Sequence, residues 1–429
     1  MIWPEAFAER MRARLGPQWE AFQKALAKPP RTTIRLHPEK GKDLYPEAMP
    51  VAWHPRGRVL SERPNFALEP AWHAGAYYVQ EASSMSVRVF LPERRPLRVI
   101  DLSAAPGGKS TLLLDELGLT GGLLIANDPD AHRRAALAEN LERWGTPAYL
   151  ITGRDPAWWA EHYPGTFDAV LLDAPCSGEG LWRKTPSLSQ TWRPEEVRFC
   201  SRRQRRLLAA AKTLVAPGGH LIYSTCTFAP EENEDNLAAF FAEDPEWLPL
   251  HWADHPPEVV EISYASSGWG YYFYPHRTIG EGFFLSAWQK KPVSARRAAP
   301  KRKASPALRF VKRPPLPLEG PLVFFQQGET IATLTESAYN LLLPGLEKVE
   351  AFPLWRYHKP SHAAALLSAL VGEELPTYEL SPEEFYQYLR RQPVERASSH
   401  AYGRAVRAGF PIGWLYKGRP SLSRPYLTS

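Results

Sequence analysis

Apolar and polar positions change their rhythm near residue 97. From Leu97 onward, short apolar runs alternate with longer segments of helical spacing. The runs predict strands at 97–103, 122–128, 148–152, 167–173 and 219–226, with helices between them, clearest at 131–144 and 195–214. Such alternation is the signature of a parallel sheet with helices on both faces. Phe283–Trp288 predicts one more strand. Upstream, Phe7, Met11, Leu15, Trp19, Phe22 and Leu26 fall at helical spacing within Pro4–Ala27, and Arg31–Leu36 alternates like a strand. Residues 292–317 carry Pro, Ala, Ser and basic residues with little periodicity and predict a linker. New apolar segments follow at Leu322–Gln326, Ile331–Leu334, Ala363–Leu370 and Phe385–Leu389, so a separate small domain or two is expected. The expected divisions are a small α/β segment at 1–90, an α/β domain with a mostly parallel sheet at 91–291, the linker, and a C-terminal region at 318–429.

A length of 429 residues exceeds one compact core and agrees with several units. No run of eighteen apolar residues occurs, so no membrane span is expected. Met1-Ile2-Trp3-Pro4-Glu5 lacks a basic stretch followed by an apolar one, so no signal peptide is expected. The three cysteines cannot form a disulfide framework and lack the spacing of a zinc site. A reducing cytoplasm and no metal are expected. The 43 prolines are compatible with a thermophilic or GC-rich source without establishing one.

Charge is unevenly placed. Ten Lys or Arg and no acid lie between Lys290 and Arg313, more than the net +6 of the whole chain. Eight more basic residues lie between Arg390 and Arg424, against Glu395 alone. A phosphate backbone is the natural partner of such segments. A solvated, extended linker is the ordinary alternative for the first of them.

Two of the three cysteines directly follow apolar runs. Phe167–Leu172 leads into Asp173-Ala174-Pro175-Cys176-Ser177-Gly178, and His220–Tyr223 into Ser224-Thr225-Cys226. Strand ends at the carboxyl edge of a parallel sheet are where α/β proteins place their chemistry. Two thiols and an aspartate there suggest covalent catalysis by a thiolate. Taken singly, each cysteine could equally be a small buried core residue.

A third strand end opens into Ser103-Ala104-Ala105-Pro106-Gly107-Gly108-Lys109-Ser110-Thr111 and then a helix. Such a turn sets backbone N–H groups and a helix N-terminus against a ligand. The tempting Gly-Lys-Ser fails as a phosphate loop, because Ser103 stands where the first glycine is required. The GxGxxG of a dinucleotide site is also absent. Asp128, roughly twenty residues on, is placed to bind a ribose, although strand-end acids are also common turn residues. Loop plus acid fits an adenosyl cofactor without a phosphate chain.

The segments Asp101–Lys109, Asp173–Gly178 and Tyr223–Cys226 together resemble the S-adenosylmethionine-dependent RNA cytosine-C5 methyltransferases. Tyr77–Ser84 and Glu281–Phe284 are similar to the family's flanking segments, so the resemblance covers roughly residues 1–290. The region beyond is similar to the bacterial 16S rRNA branch of RsmF type, whose C-terminal part is PUA-like. The resemblance implies a Rossmann-like methyltransferase domain between an N-terminal α/β segment and a C-terminal region that both bind RNA. Ser103 departs from the family by standing where many relatives carry Cys, a position on the cofactor side.

The resemblance also implies roles. Cys226 is the nucleophile that adds to cytosine C6, and Cys176 is the helper in product release; in the related DNA enzymes the cysteine at the Cys176 position attacks instead. Asp173 holds the N3/N4 edge of the base as charge develops, or is merely a turn residue. Lys109 lines the active site, or is a solvated charge. S-adenosylmethionine lies over Ser103–Lys109 and reaches Asp173, Asp128 holds its ribose and Arg133 stands beside it. Asp155 contacts the adenine or caps the helix that Pro156 begins. Arg198, Arg202, Arg203 and Arg206 contact the RNA backbone or form an ordinary solvated face. The target base must be flipped or single-stranded. The expected partner is 16S rRNA or the small ribosomal subunit, met by a cytoplasmic monomer. A tRNA cytosine-C5 methyltransferase and a non-catalytic ribosome-assembly factor are the alternatives.

Overall fold

The computed structural model describes residues 3–292 apart from 94–95, 118–121, 242 and 266. Beyond residue 292 it describes 309–312, 322–327, 329–336, 338, 350–356, 359–366, 376–394, 402–422 and 426–427. The predicted linker therefore lies mostly outside the described residues.

The N-terminal segment begins with two helices, α1 (Glu5–Leu15) and α2 (Trp19–Leu26), where the spacing predicts one. Gly16-Pro17 breaks it: Gly16 takes φ +52°, and Pro17 opens a single tight turn. The predicted strand becomes β1 (Thr33–Leu36), which joins β2 (Met49–Val51), β3 (His54–Val59) and β4 (Tyr77–Val79) in the order β2-β3-β1-β4.

The central sheet is Rossmann-like. It is built on β5 (Leu97–Asp101), β6 (Gly122–Asn127), β7 (Tyr149–Thr152), β8 (Phe167–Asp173) and β9 (Val215–Thr225). Their order is β7-β6-β5-β8-β9, all parallel. Every residue of β6 and β7 is buried, as expected of strands covered on both faces. The predicted boundaries hold to within two residues, except that β9 begins four residues early. Its extra start runs directly out of a long helix and is bent at Gly218, with a register shift against β8. Beyond β9, β10 (Trp247–Pro249) and the predicted last strand, now β13 (Phe283–Lys290), pair antiparallel, with β13 also pairing β9. A hairpin absent from the sequence reading, β11 (Val260–Tyr264) and β12 (Gly268–Phe273), extends that edge.

The order reverses beside β5, because the chain leaves it for β6 and later returns to its other side as β8. Crevices at the carboxyl ends of strands flanking such a point are where these sheets bind ligands. Here the crevice lies over the ends of β5 and β8.

The C-terminal region is joined to this sheet. Strands β14 (Arg309–Phe310), β15 (Leu322–Gln327), β16 (Thr330–Thr335) and β17 (Glu350–Arg356) pair in sequence, and Ala351 of β17 lies opposite Leu150 of β7. Phe325, Leu334, Phe352 and Trp414 share one apolar core with α1 and the parallel strands. A second small sheet comprises β19 (Thr377–Glu379), β20 (Tyr402–Arg407), β21 (Phe410–Tyr416) and β22 (Arg419–Pro420), β18 (Lys359–Pro360) pairing with β17 instead. The helix Pro382–Leu389 carries a capping box from Ser381 and Glu384.

Buried cations lock these parts together. Lys40 Nζ donates to the carbonyls of Ala74 (2.8 Å), Arg143 (3.1 Å), Trp144 (2.7 Å) and Leu366 (3.4 Å). It thereby joins the N-terminal segment, the end of one central helix and the C-terminal region. Arg35 is wholly buried, ion-paired with Asp115, stacked 4.4 Å from the Trp144 ring and bonded to Gln80 and Thr111. Arg35→Ala should destabilise the protein by about 3–5 kcal/mol, because one partner of a buried pair is left behind. Arg56, 3.4 Å from Asp115, and the Trp144 indole N–H offset only part of that loss. A denaturant titration showing a loss below about 1 kcal/mol, typical of surface pairs, would contradict this docking role.

Candidate active site

The register of β8 against β9 builds the site. Asp173, the last residue of β8, lies opposite Ser224 of β9, so the loops that follow both strands leave the sheet side by side. The Cys176 and Cys226 sulfurs meet at 3.1 Å. Gly180 N–H donates to the Cys226 carbonyl at 2.9 Å and fixes the second loop to the first. Any side chain at Gly180 would strike the Gly282 carbonyl, since a Cβ there would lie 2.4 Å from that oxygen.

Asp173 is clamped from both sides. Ser224 Oγ donates to its Oδ1 at 2.7 Å, and Lys109 Nζ donates to its Oδ2 at 2.8 Å. Lys109 is the first-turn lysine of the helix Gly108–Leu117, only 17% exposed, with its ammonium 5.2 Å from the Phe283 ring centre. Burial lowers its pKa, but Asp173, Asp101 and Cys226 outweigh that and hold it above the ordinary value. It is therefore a fixed cation inside the site and not a solvated surface charge.

The two cysteines differ. The hydrogen bond to the Cys226 sulfur, then burial, then the charges of Cys226 and Glu232 hold the Cys176 thiol well above its ordinary range. Either sulfur can act as the donor in the contact between them. The third cysteine, Cys200, is buried in the helix Pro194–Leu214 and pushed up to about 12 by burial.

The second half of the crevice lies over β5 and β6. The loop Ser103–Lys109 turns at Gly107 (φ +113°) and is held by Asp101, which accepts from Ser103 N–H (3.2 Å) and Ser110 Oγ (2.7 Å). Asp128 is 1% exposed and accepts from Ala105 N–H (3.2 Å) and Asp130 N–H (3.0 Å). Arg133 spans the same loop, donating to the Ala105 carbonyl at 2.7 Å and approaching Asp128 at 3.4 Å. Asp155 is exposed and caps the helix Pro156–His162 by accepting from Ala157 N–H at 2.8 Å. Of its two expected roles, this geometry supplies the cap. Arg198, Arg202, Arg203 and Arg206 lie exposed on Pro194–Leu214, with Arg198 paired to Glu195.

Several supporting residues were not singled out from sequence. Asp101 and Ser224 stand inside the quoted motifs, and their strand-end positions were the available signal. Glu232 and Gln204 had none. Glu232 accepts from Ser177 N–H (3.0 Å), Ser177 Oγ and Gln204 Nε2 (2.7 Å), while Gln204 Nε2 also donates to the Pro175 carbonyl (3.0 Å).

A Rossmann-like sheet with a non-phosphate loop at its switch point and paired thiols at adjacent strand ends defines a methyltransferase class. Residues 89–289 match the family of 16S rRNA methyltransferase RsmB/F, and residues 3–82 match the N-terminal domain of 16S rRNA methyltransferase RsmF. The chain belongs to the RsmB/F methyltransferase family. It is 34% identical to ribosomal RNA small subunit methyltransferase F of Salmonella paratyphi A over 310 residues, 68% of this chain and 64% of that protein. The namesake from Salmonella agona is 33% identical over 340 residues, 75% of this chain and 69% of the relative. The chain thus spans just under two thirds of the first relative's length. Among solved structures, a methyltransferase homologue from Pyrococcus horikoshii superposes with a TM-score of 0.58 at 27% identity, covering 67% of this chain and 95% of its own.

Burial raises three carboxyls, Asp101, Glu232 and Glu281, to about 7. Their ordinary values are 3.8, 4.5 and 4.5. Between those values and 7 the folded protein keeps protons that the unfolded chain has released, so stability falls as pH rises through that window. Urea-unfolding midpoints should accordingly be lower at pH 8.5 than at pH 6, with a smaller drop in Asp101→Asn. A wild-type midpoint that rises over this interval would contradict these assignments.

Proposed function

We propose that this protein transfers a methyl group from S-adenosylmethionine to C5 of a cytosine in 16S rRNA, through a covalent bond between Cys226 and C6 of the base. The observation that carries this reading is the meeting of Cys226, Cys176, Asp173 and Lys109 over the ends of β8 and β9. The cofactor side supports it. The Ser103–Lys109 loop, with Ala104, Ala105, Pro106, Gly107 and Gly108, offers backbone groups but no phosphate cradle, and buried Asp128 suits a ribose diol. Arg133 braces that loop. Adenine contact by Asp155 rests on the family resemblance alone.

S-adenosylmethionine supplies an electrophilic methyl group when bound there. The protein must then make C5 nucleophilic. The Cys226 thiolate adds to C6 and turns the ring into an enamine. Asp173, fixed by Ser224 and Lys109, hydrogen-bonds the N3/N4 edge as electron density builds on the ring. After methyl transfer, solvent water takes the C5 proton, the C5–H electron pair re-forms the C5–C6 double bond, and the C6–S bond breaks to release the Cys226 thiolate and restore the aromatic ring. Cys176, 3.1 Å away, is placed to receive the leaving thiolate in a hydrogen bond from its S–H. Those roles follow the RNA branch of the family, not the DNA enzymes.

The N-terminal segment 1–90, the basic stretch 292–317 and the PUA-like region 318–429 are the RNA-holding parts of this reading. Arg202, Arg203 and Arg206, exposed on the helix Pro194–Leu214, supply cations for the backbone in this reading. Among the described residues no helix is long and apolar enough to cross a membrane, and the expected setting is a cytoplasmic monomer on 16S rRNA or the small subunit.

Calorimetry should show S-adenosylmethionine binding in metal-free buffer and none of ATP; the reverse would overturn the cofactor reading. Cys226→Ala should abolish methylation and leave no covalent adduct. Cys176→Ala should attack and methylate once but accumulate a protein–RNA species that survives denaturing gels, and the double variant should not trap. Trapping by Cys226→Ala instead would exchange the two roles.

A further inference from the structure

The loop carrying Cys176 is held by one buried carboxylate that belongs to neither cysteine strand end. Glu232 lies in the tight turn Pro230–Glu232 after β9 and is fully buried. It accepts from the backbone N–H and the hydroxyl of Ser177, the residue after Cys176. Gln204, also fully buried, donates to Glu232 and to the carbonyl of Pro175, the residue before Cys176. Cys176 is thus gripped on both sides. Ser177 Oγ also meets Thr227 Oγ1 at 2.9 Å, tying the grip to the residue after Cys226. Asn233, the next residue, accepts from Thr225 Oγ1 (2.6 Å) and donates to the Thr227 carbonyl (3.0 Å). One turn therefore braces both cysteine loops.

Above about pH 7, where Glu232 is ionised, the brace is also a charge. The other titratable groups around Cys176 and Glu232 include Tyr223 of β9, Cys226 just after it, Cys200 of the long helix, Asp173, and Glu179, which is paired with Arg10. Cys226 has the Lys109 ammonium among its electrostatic partners, and Cys176 has the Glu232 carboxylate. A cation favours a thiolate and an anion opposes one. The two sulfurs touch, yet each has a different charged residue among its electrostatic partners.

We propose that Glu232 is a positioning residue that divides the labour of the two cysteines: it fixes Cys176 against Cys226 and sets a buried carboxylate behind the Cys176 loop, so that Cys226 attacks and Cys176 serves release. The proposal rests on the methyltransferase reading for its turnover consequence, but its charge consequence can be read without RNA.

The first arm uses Cys226→Ser protein, with Cys176 alkylation by iodoacetamide followed across pH by peptide mass spectrometry. Adding Glu232→Gln should move the Cys176 profile to lower pH, raising the rate at a given pH by about tenfold per pKa unit. Glu232→Asp keeps the charge and should leave the profile in place. An unchanged profile in Glu232→Gln, or an equal shift in both variants, overturns the charge role.

The second arm restores Cys226 and follows turnover on 16S rRNA transcripts or small subunits with S-adenosylmethionine under reducing conditions. Both variants withdraw bonds from Ser177, so adduct formation should stay near the wild-type rate while release slows and a covalent protein–RNA species accumulates. Attack and release falling together would mark a merely structural role and overturn the proposal. Should Glu232→Gln fail to fold by circular dichroism, Glu232→Asp decides alone: slowed release with unslowed attack supports the brace, and equal loss refutes it. A wild type that never forms an adduct would sink the methyltransferase reading while leaving the alkylation arm intact.

Discussion

The pairing of β8 with β9 is the constraint on which the site depends. Two segments fifty positions apart become neighbours because Leu171, Leu172 and Asp173 lie opposite Ile222, Tyr223 and Ser224. A slip of one residue would turn the side chains of β9 to the opposite face. Ser224 would lose Asp173, and the sulfurs would no longer meet. The slip is opposed by burial, since Val170–Leu172 and Leu221–Thr225 are buried throughout and any new register must refill that space. The geometry of the site is thus a consequence of core packing one layer below it.

Polarity around the crevice is arranged on that frame. The Lys109 cation pairs with Asp173, while the buried carboxyls Asp101 and Glu232 hold the Ser103–Lys109 loop and the Cys176 loop respectively. Buried groups of this kind cost stability unless fully bonded. Asp101 and Glu232 are bonded by neighbours on loops they fix. The N-terminal segment closes the frame: Arg10 reaches Glu179 at 2.5 Å, and Phe7 packs on Trp182 just after the Cys176 loop. On the far edge, β17 covers β7, which would otherwise present unpaired backbone to solvent.

Much of this was legible in the sequence, for a physical reason. Strands buried on both faces read as apolar runs, so β5 to β9 stood out, and their ends marked Asp128, Asp173, Cys176 and Cys226. The loop's failure as a phosphate site could be read from Ser103 and Pro106. Helix α1 was overextended because the apolar spacing continues past Gly16-Pro17 while the backbone cannot. The hairpin β11–β12 escaped because β11 is mostly half-buried and mixes polar with apolar residues, and Gly268 and Gly270 open β12. Glu232 and Gln204 escaped because their meaning is tertiary: neither is near Cys176 in sequence, and nothing in the local pattern says that both will be buried against its loop. Attachment of the C-terminal strands to β7 was invisible for the same reason.

The central claim is that Cys226, and not the sulfur beside it, bonds to the base. RNA carrying 5-fluorocytosine tests it directly, because fluorine at C5 cannot leave as a proton does and the adduct persists after methyl transfer. Digestion of the trapped complex with trypsin and nuclease, followed by mass spectrometry, should find the nucleotide on the peptide that contains Cys226. Finding it on the peptide that contains Cys176 would contradict the account.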